Sequence, residues 1–275
     1  MQPDVIAFFH PQSNTFSYLV ADPASGVAAV IDPAVDFDLH TGQIDTGPAQ
    51  VLVDEVARRG WQVEWLLETH AHADHVSAAQ WLKQQWPRAR LGVGAGIVAV
   101  QRTFAPRYRM PEGFLPDGSQ FDHLFEDEAI FALGHLPVRV LAVPGHTSDS
   151  VAYLIGESLF PGDSLFMPDG GTARCDFPGG DAGALFKSIR RLYELPDATV
   201  VYICHDYGPG GRAVAHATTI GEQRNSNVHV RGDTDEQSFV ERRQTRDASL
   251  AQPRLIGPAI KANIQAGRFE DLLPL

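Results

Sequence analysis

Cysteine is nearly absent: Cys175 and Cys204 are the only two in 275 residues. The opening Met1–His10 has neither a basic stretch nor a continuous apolar run, so no secretory leader is expected. Two reduced thiols are then expected rather than a disulfide framework, and the location expected is cytoplasmic. No run approaches the roughly eighteen apolar residues of a membrane span, so no membrane partner is expected. Positive charge is also short, with 22 Lys and Arg against 34 Asp and Glu and a formal charge of −12. Such a chain repels a phosphate backbone, which argues against nucleic acid. Internal repeats and low-complexity tracts are lacking. What remains is ordinary globular composition, 44% hydrophobic and 20% charged, enough for one large layered domain or two small ones.

Apolar runs at Phe16–Val20 and Ala28–Ile31, separated by Asp22-Pro23 and Gly26, predict a hairpin ended by Asp32-Pro33. Pro48–Arg59 places Val51, Leu52, Val56 and Ala57 at helical spacing, with Gly60 as a cap. Val63–Glu68 reads as a buried strand that runs into a polar turn, followed by a helix over Val76–Gln85. Strand, polar turn, helix is the place where open α/β architectures bind ligands. The pattern recurs. Pro137–Val143 leads into Pro144-Gly145-His146-Thr147. Val151–Ile155 and Ser158–Phe160 form a predicted hairpin ending at Gly162-Asp163. After a helix over Gly183–Tyr193, the strand Thr199–Cys204 ends at His205-Asp206-Tyr207. Polar Arg231–Gln237 reads as a loop before a C-terminal helical segment. The organisation expected is a catalytic domain over residues 1–237, with 238–275 a helical extension of it.

Four predicted strand ends thus each deliver a candidate metal ligand, and the densest is His70-x-His72-x-Asp74-His75. In a turn after a strand, alternate residues point into one cleft, so His70 and His72 can share a metal. Asp74 and His75 then begin the helix and can approach from its side. Imidazole together with carboxylate suits zinc or iron(II) rather than calcium or magnesium. An isolated histidine is most often a solvated or hydrogen-bonded residue; seven candidate ligands in recurrent turns are not.

The motif, followed in order by His146, Asp163 and His205, resembles the metallo-β-lactamase superfamily over most of the chain. That resemblance implies an α/β fold, the αββα sandwich of two mixed β-sheets flanked by helices, with the metal at the strand ends. The loop Ser164-Leu-Phe-Met-Pro-Asp-Gly-Gly-Thr172-Ala-Arg174-Cys175-Asp176-Phe177-Pro178 narrows it. This loop, the His205-Asp206-Tyr207 run and the Glu222–Asn227 segment resemble the persulfide dioxygenase group, in its bacterial β-lactamase-like hydrolase branch. Hydroxyacylglutathione hydrolases usually carry a Cys-Gly-Arg-x-Phe-Glu loop and a His-Glu-Tyr run, and this chain departs from both.

The persulfide dioxygenase resemblance implies an enzyme with one Fe(II) per chain on His70, His146 and Asp163. It implies His72, Asp74, His75 and His205 as residues that orient those ligands and bound water. Glutathione persulfide and O2 are the implied partners, and a homodimer is left open. Arg174 is the candidate for a substrate carboxylate, since a guanidinium binds one through two hydrogen bonds; a structural pair with Asp176 is the equal alternative. Tyr207 is the next substrate candidate, with a packed aromatic at the cleft edge as the equal alternative. Thr147 is expected to cap the turn after His146 and is also a substrate candidate. Arg224 and Asn227 either reach in from a helix or are solvated. Cys175 is expected as a plain thiol more than a sulfur-exchanging one, and Cys204 as core. The runner-up is a glyoxalase II-type thioester hydrolase with zinc or a two-metal centre. There Asp163 would bridge two metals, and Asp74, His75 and His205 would hold the second.

Overall fold

A computed structural model of the chain describes residues 2–269 and Leu272; the extreme ends of the two expected segments lie outside these. Two six-stranded sheets face each other. The first begins with the antiparallel run Asp4–His10, Thr15–Ala21 and Val27–Ile31, then adds Gln62–Leu67, Arg90–Gly94 and His123–Phe125 in parallel. The second is antiparallel except for the parallel pairing of Ser158–Phe160 with Val200–Tyr202. Both sheets are therefore mixed, as expected for an αββα sandwich.

Alternation along the strands builds three apolar layers. Phe16, Tyr18 and Val20 enter the layer between the sheets, meeting Val138, Val140 and Tyr153 from the other sheet. Leu19 and Ala21 point the other way, toward the helices Gly47–Arg59, Ala79–Gln85 and Ile97–Phe104. On the far side, Leu141 and Val143 meet Leu185, Ile189 and Phe239 of the helices Ala182–Leu192 and Glu236–Asp247. Helix, sheet, sheet, helix is the result.

Most predicted elements appear with ends moved by a residue or two. The helix Gly47–Arg59 ends at Gly60, whose φ of 68° and N–H bonds to the Ala57 and Val56 carbonyls make a left-handed cap. Its buried stripe is Ala49, Leu52 and Val56; Val51 and Ala57 face solvent. The expected helix over Val76–Gln85 starts late. Val76 and Ser77 pair instead with Val35 and Ala34, and the helix runs over Ala79–Gln85. The loop expected over Arg231–Gln237 is shorter too, because the Asp235 carboxylate accepts from Ser238 N at 2.9 Å and starts a helix at Glu236. The first strand, Asp4–His10, was not anticipated.

The irregular segment between Leu67 and Val76 lies buried without a ladder of its own, so side chains satisfy its backbone. Asp32 accepts from Thr69 N at 2.7 Å, and Asp149 accepts from Ala71 N at 2.8 Å. From the C-terminal helix Ile256–Asn263, Asn263 donates to the His72 and His75 carbonyls at 2.8 Å each. It also accepts from Ser77 N at 2.9 Å. Replacing Asn263 with Leu orphans three buried backbone groups. The expected loss is about 3 kcal/mol of unfolding free energy in urea titration, while an unchanged midpoint would show that the loop does not need this anchor.

Candidate metal centre

Histidine and aspartate donors converge at the ends of four strands. His70, His72, Asp74 and His75 follow Gln62–Leu67; His146 follows Leu136–Ala142; Asp163 follows Ser158–Phe160; His205 follows Val200–Tyr202. Close contact requires the glycines before two of them. A Cβ on Gly145 would lie 2.3 Å from Leu185 N, and one on Gly162 would lie 2.6 Å from Thr69 Oγ1. His146 is thereby pressed against the start of one helix and Asp163 against the His70 loop.

His70, His146 and Asp163 form one buried group whose ligand atoms all lie within 4.8 Å of one another. Asp163 Oδ2 is 3.5 Å from His146 Nε2 and 3.9 Å from His70 Nε2. Donors about 2.0–2.2 Å from a shared ion are spaced in this way. The hydrogen bonds fix which nitrogen faces inward. His146 donates from Nδ1 to the Arg174 carbonyl at 2.6 Å. The Thr69 hydroxyl gives its proton to Asp32 at 2.8 Å, so it accepts from His70 Nδ1 at 3.0 Å. Both rings then turn a proton-free Nε2 toward Asp163. Burial, reinforced by His72 and the other neighbouring histidines, holds His70 well below the ordinary imidazole pKa, so that ring is neutral. His70 Nε2 and Asp163 Oδ1 are buried with no hydrogen-bond partner. Such orphaned acceptors at ligand spacing fit a metal ion.

His72, Asp74, His75 and His205 form a second group of the same kind. His205 Nε2 lies 3.4 Å from Asp74 Oδ2 and 3.3 Å from Asp163 Oδ1, so the two groups share a wall. Burial, then the neighbouring His72, pulls His75 down to about 4. His72 goes the other way. Burial alone would lower it, but Asp32 at 3.1 Å and Glu68 at 3.7 Å outweigh that and lift it to about 10. Thr15 contacts His205 Nδ1 at 3.1 Å and continues to Ser13 at 2.8 Å.

The substrate candidates separate. A cavity of about 630 Å³ opens beside His146, Asp163 and His205, and Arg174 and Tyr207 line it. Tyr207 lays its ring parallel to His205, centroids 6.1 Å apart. The Arg174 guanidinium is already engaged, donating twice to Asp176 at 2.6 Å and once to the Ala251 carbonyl at 2.6 Å. The structural pair is the one present. Thr147 closes its turn on Ser150 at 2.6 Å and does not line the cavity. Arg224 pairs with Asp197 and the Tyr193 carbonyl, and buried Asn227 accepts from His229 N and Val230 N. Neither lines the cavity among the described residues, so the substrate alternative falls for both, and buried Asn227 is not the solvated residue of the other alternative. Burial, with Asp247 beside it, pushes the Cys175 thiol up to about 12, which removes the thiolate that sulfur exchange requires. Cys204 is buried as expected, with its Sγ 3.8 Å from Asp32.

Asp32, Glu68, Thr15 and Asp149 were not picked out from the sequence. Asp32 looked like a strand terminator, and only its left-handed φ of 49° and its aim at Thr69 reveal its role.

The family model described as the metallo-beta-lactamase superfamily matches residues 11–205. A beta-lactamase hydrolase-like protein of Agrobacterium fabrum is 47% identical over 98% of this chain, which spans only 62% of that protein's length. A probable metallo-hydrolase of Burkholderia pseudomallei is 44% identical over 97% of this chain and 94% of its own. The mitochondrial persulfide dioxygenase ETHE1 of Bos taurus is 30% identical over 94% of this chain and 87% of its own. Among solved structures, ETHE1 from Myxococcus xanthus superposes with a TM-score of 0.76 at 28% identity, covering 96% of this chain and 100% of that one. With the motif in place and the sandwich beneath it, this chain belongs to the metallo-beta-lactamase superfamily.

Proposed function

We propose that this chain is a persulfide dioxygenase that converts glutathione persulfide to sulfite and glutathione. The balanced reaction is RSSH + O2 + H2O → RSH + SO3²⁻ + 2H⁺, in which the terminal sulfur supplies all four electrons. The observation that carries the reading is the donor set: two imidazoles with inward Nε2 lone pairs and one carboxylate, together at ligand spacing. Two histidines and a carboxylate are the ligand type of non-haem iron(II) oxygenases. Iron(II) held there by His70, His146 and Asp163 would supply the redox chemistry that joins the persulfide sulfur to dioxygen.

The chain's own groups do the rest. Thr69 and the Arg174 carbonyl orient the two rings. Burial keeps His70 neutral, so its Nε2 lone pair is available. Asp163 contributes the negative charge. The cavity beside His146 admits a carrier much larger than the reacting sulfur, as a site of a few hundred Å³ does. The Bos taurus relative supports the oxygenase reading by name, and the Myxococcus structure shares its ETHE1 designation.

A specific observation favours a second reading. The group of Asp74, His75 and His205 also presents orphaned buried atoms, enough to hold a second metal for hydrolysis of a glutathione thioester. The names of the Agrobacterium and Burkholderia relatives lean the same way.

An oxygen electrode separates the two. Iron-loaded protein with glutathione persulfide should consume one O2 for each sulfite formed, and a His70→Ala variant should lose more than about a hundredfold of that rate along with its iron. Absence of uptake by fully iron-loaded protein, with glutathione released from an acyl-glutathione instead, would establish the hydrolase.

A further inference from the structure

A row of polar side chains joins one edge of the metal centre to the protein surface. It starts at half-buried Asp36, whose carboxylate lies 2.8 Å from His10 Nε2. His10 is buried, and its Nδ1 lies 2.6 Å from Ser13 Oγ. Ser13 donates to Thr15 Oγ1 at 2.8 Å, and Thr15 Oγ1 lies 3.1 Å from His205 Nδ1. One hairpin carries His10, Ser13 and Thr15, for His10 pairs with Thr15 across it.

A hydroxyl has one proton to give, so the direction of one bond settles the others. Because Ser13 spends its proton on Thr15, its oxygen accepts from His10 Nδ1. His10 then bears a proton on each nitrogen and faces the Asp36 carboxylate as an imidazolium. Thr15, having accepted from Ser13, keeps its own proton for a histidine. His75 Nδ1 is the more distant at 3.4 Å, and it has the Asp74 carboxylate beside it at 3.5 Å. His205 Nδ1 is therefore the acceptor, and a neutral His205 ring carries its proton on Nε2. Facing that nitrogen are Asp163 Oδ1 at 3.3 Å and Asp74 Oδ2 at 3.4 Å. All three atoms are buried without a hydrogen-bond partner among the described residues. A proton on Nε2 gives the two oxygens a donor; a bare nitrogen would leave three acceptors facing one another.

We propose that His10, Ser13 and Thr15 are positioning residues that hold the His205 ring proton on Nε2, making His205 a donor to Asp163 and not a metal ligand. The centre is thereby kept to one metal. The arrangement is the reverse of the one at Thr69, which gives its proton to Asp32 and so accepts from His70 Nδ1. One threonine bares a nitrogen lone pair for a metal, and the other covers one with a proton. Engaging Asp163 Oδ1 also leaves its Oδ2 for the side of the site that holds His146, 3.5 Å away. A second metal on His205 would require the whole row to turn round. His205 Nδ1 would donate to Thr15, Thr15 to Ser13 and Ser13 to His10, with one proton leaving the row for solvent. The Asp36 charge opposes that loss. The inference concerns how many metals the chain holds and goes beyond the reaction proposed for it.

Long-range proton–nitrogen correlation spectra read the tautomer directly. The full chain is loaded with one equivalent of zinc, which is diamagnetic. His205 should be protonated at Nε2, and His70 and His146 at Nδ1. Two variants loosen the row without touching a metal donor. Asp36→Asn withdraws the charge opposite His10, and Ser13→Ala removes the proton that Thr15 accepts. In both, the His205 proton should move to Nδ1, and Asp36→Glu should keep the wild-type spectrum. Calorimetric titration should then show both variants binding a second zinc about tenfold more tightly than the wild type does. A wild-type His205 protonated at Nδ1 would overturn the proposal, and so would an Asp36→Asn spectrum identical to that of the wild type. Iron-loaded wild type that takes up no oxygen, while His205 keeps its Nε2 proton, would reject the dioxygenase reading and leave this assignment standing.

Discussion

His146 gives its Nδ1 proton to the Arg174 carbonyl, and His70 gives its own to the Thr69 hydroxyl. Those two hydrogen bonds decide that both rings present a bare Nε2 to Asp163. Reversing either tautomer would put a proton where a metal must sit, and the site would lose a ligand. Everything else in the structure serves that orientation. Asp32 is buried with its carboxylate on Thr69, Asp149 holds the backbone N–H of Ala71 between His70 and His72, and Asn263 holds the carbonyls of His72 and His75. Gly145 and Gly162 allow a helix and a neighbouring loop to close on the same point. The sheets are rigid supports from which four short turns reach inward.

The ligands were legible because chemistry forces them into the sequence. Imidazole and carboxylate are the side chains that can ligate such a metal, and turns after strands bring them out at regular points. The layers were legible for a similar reason, since a strand buried on both faces reads as a continuous apolar run, as Val27–Ile31 does. Boundaries were not, where pairing overrode local pattern. Val76 and Ser77 look like the start of a helix, and only a partner at Ala34 and Val35 makes them a strand. Asn263 sits 191 residues from the carbonyl it binds, and no local signal marks such a role. For Arg174 the sequence left a substrate role and a pair with Asp176 equally open; the pair is the contact present, and only the bond to the Ala251 carbonyl, far along the chain, had no local signal.

The C-terminal segment changes how the site is bounded. It is the outer wall of the cavity, tied to the loop that orients His146 through Arg243, Asp247 and Ala251. The residues from Thr172 to Cys175 therefore contact both the C-terminal segment and His146.

The central claim concerns a count as much as a place. Asp163 stands between two groups of donors, 3.5 Å from His146 in one and 3.3 Å from His205 in the other. A crystal of freshly isolated protein, measured on either side of the iron absorption edge, locates and identifies every metal in a single anomalous difference map. The account predicts one iron peak per chain, bounded by His70, His146 and Asp163. A second peak of equal height among Asp74, His75 and His205, or zinc in both places, would contradict it.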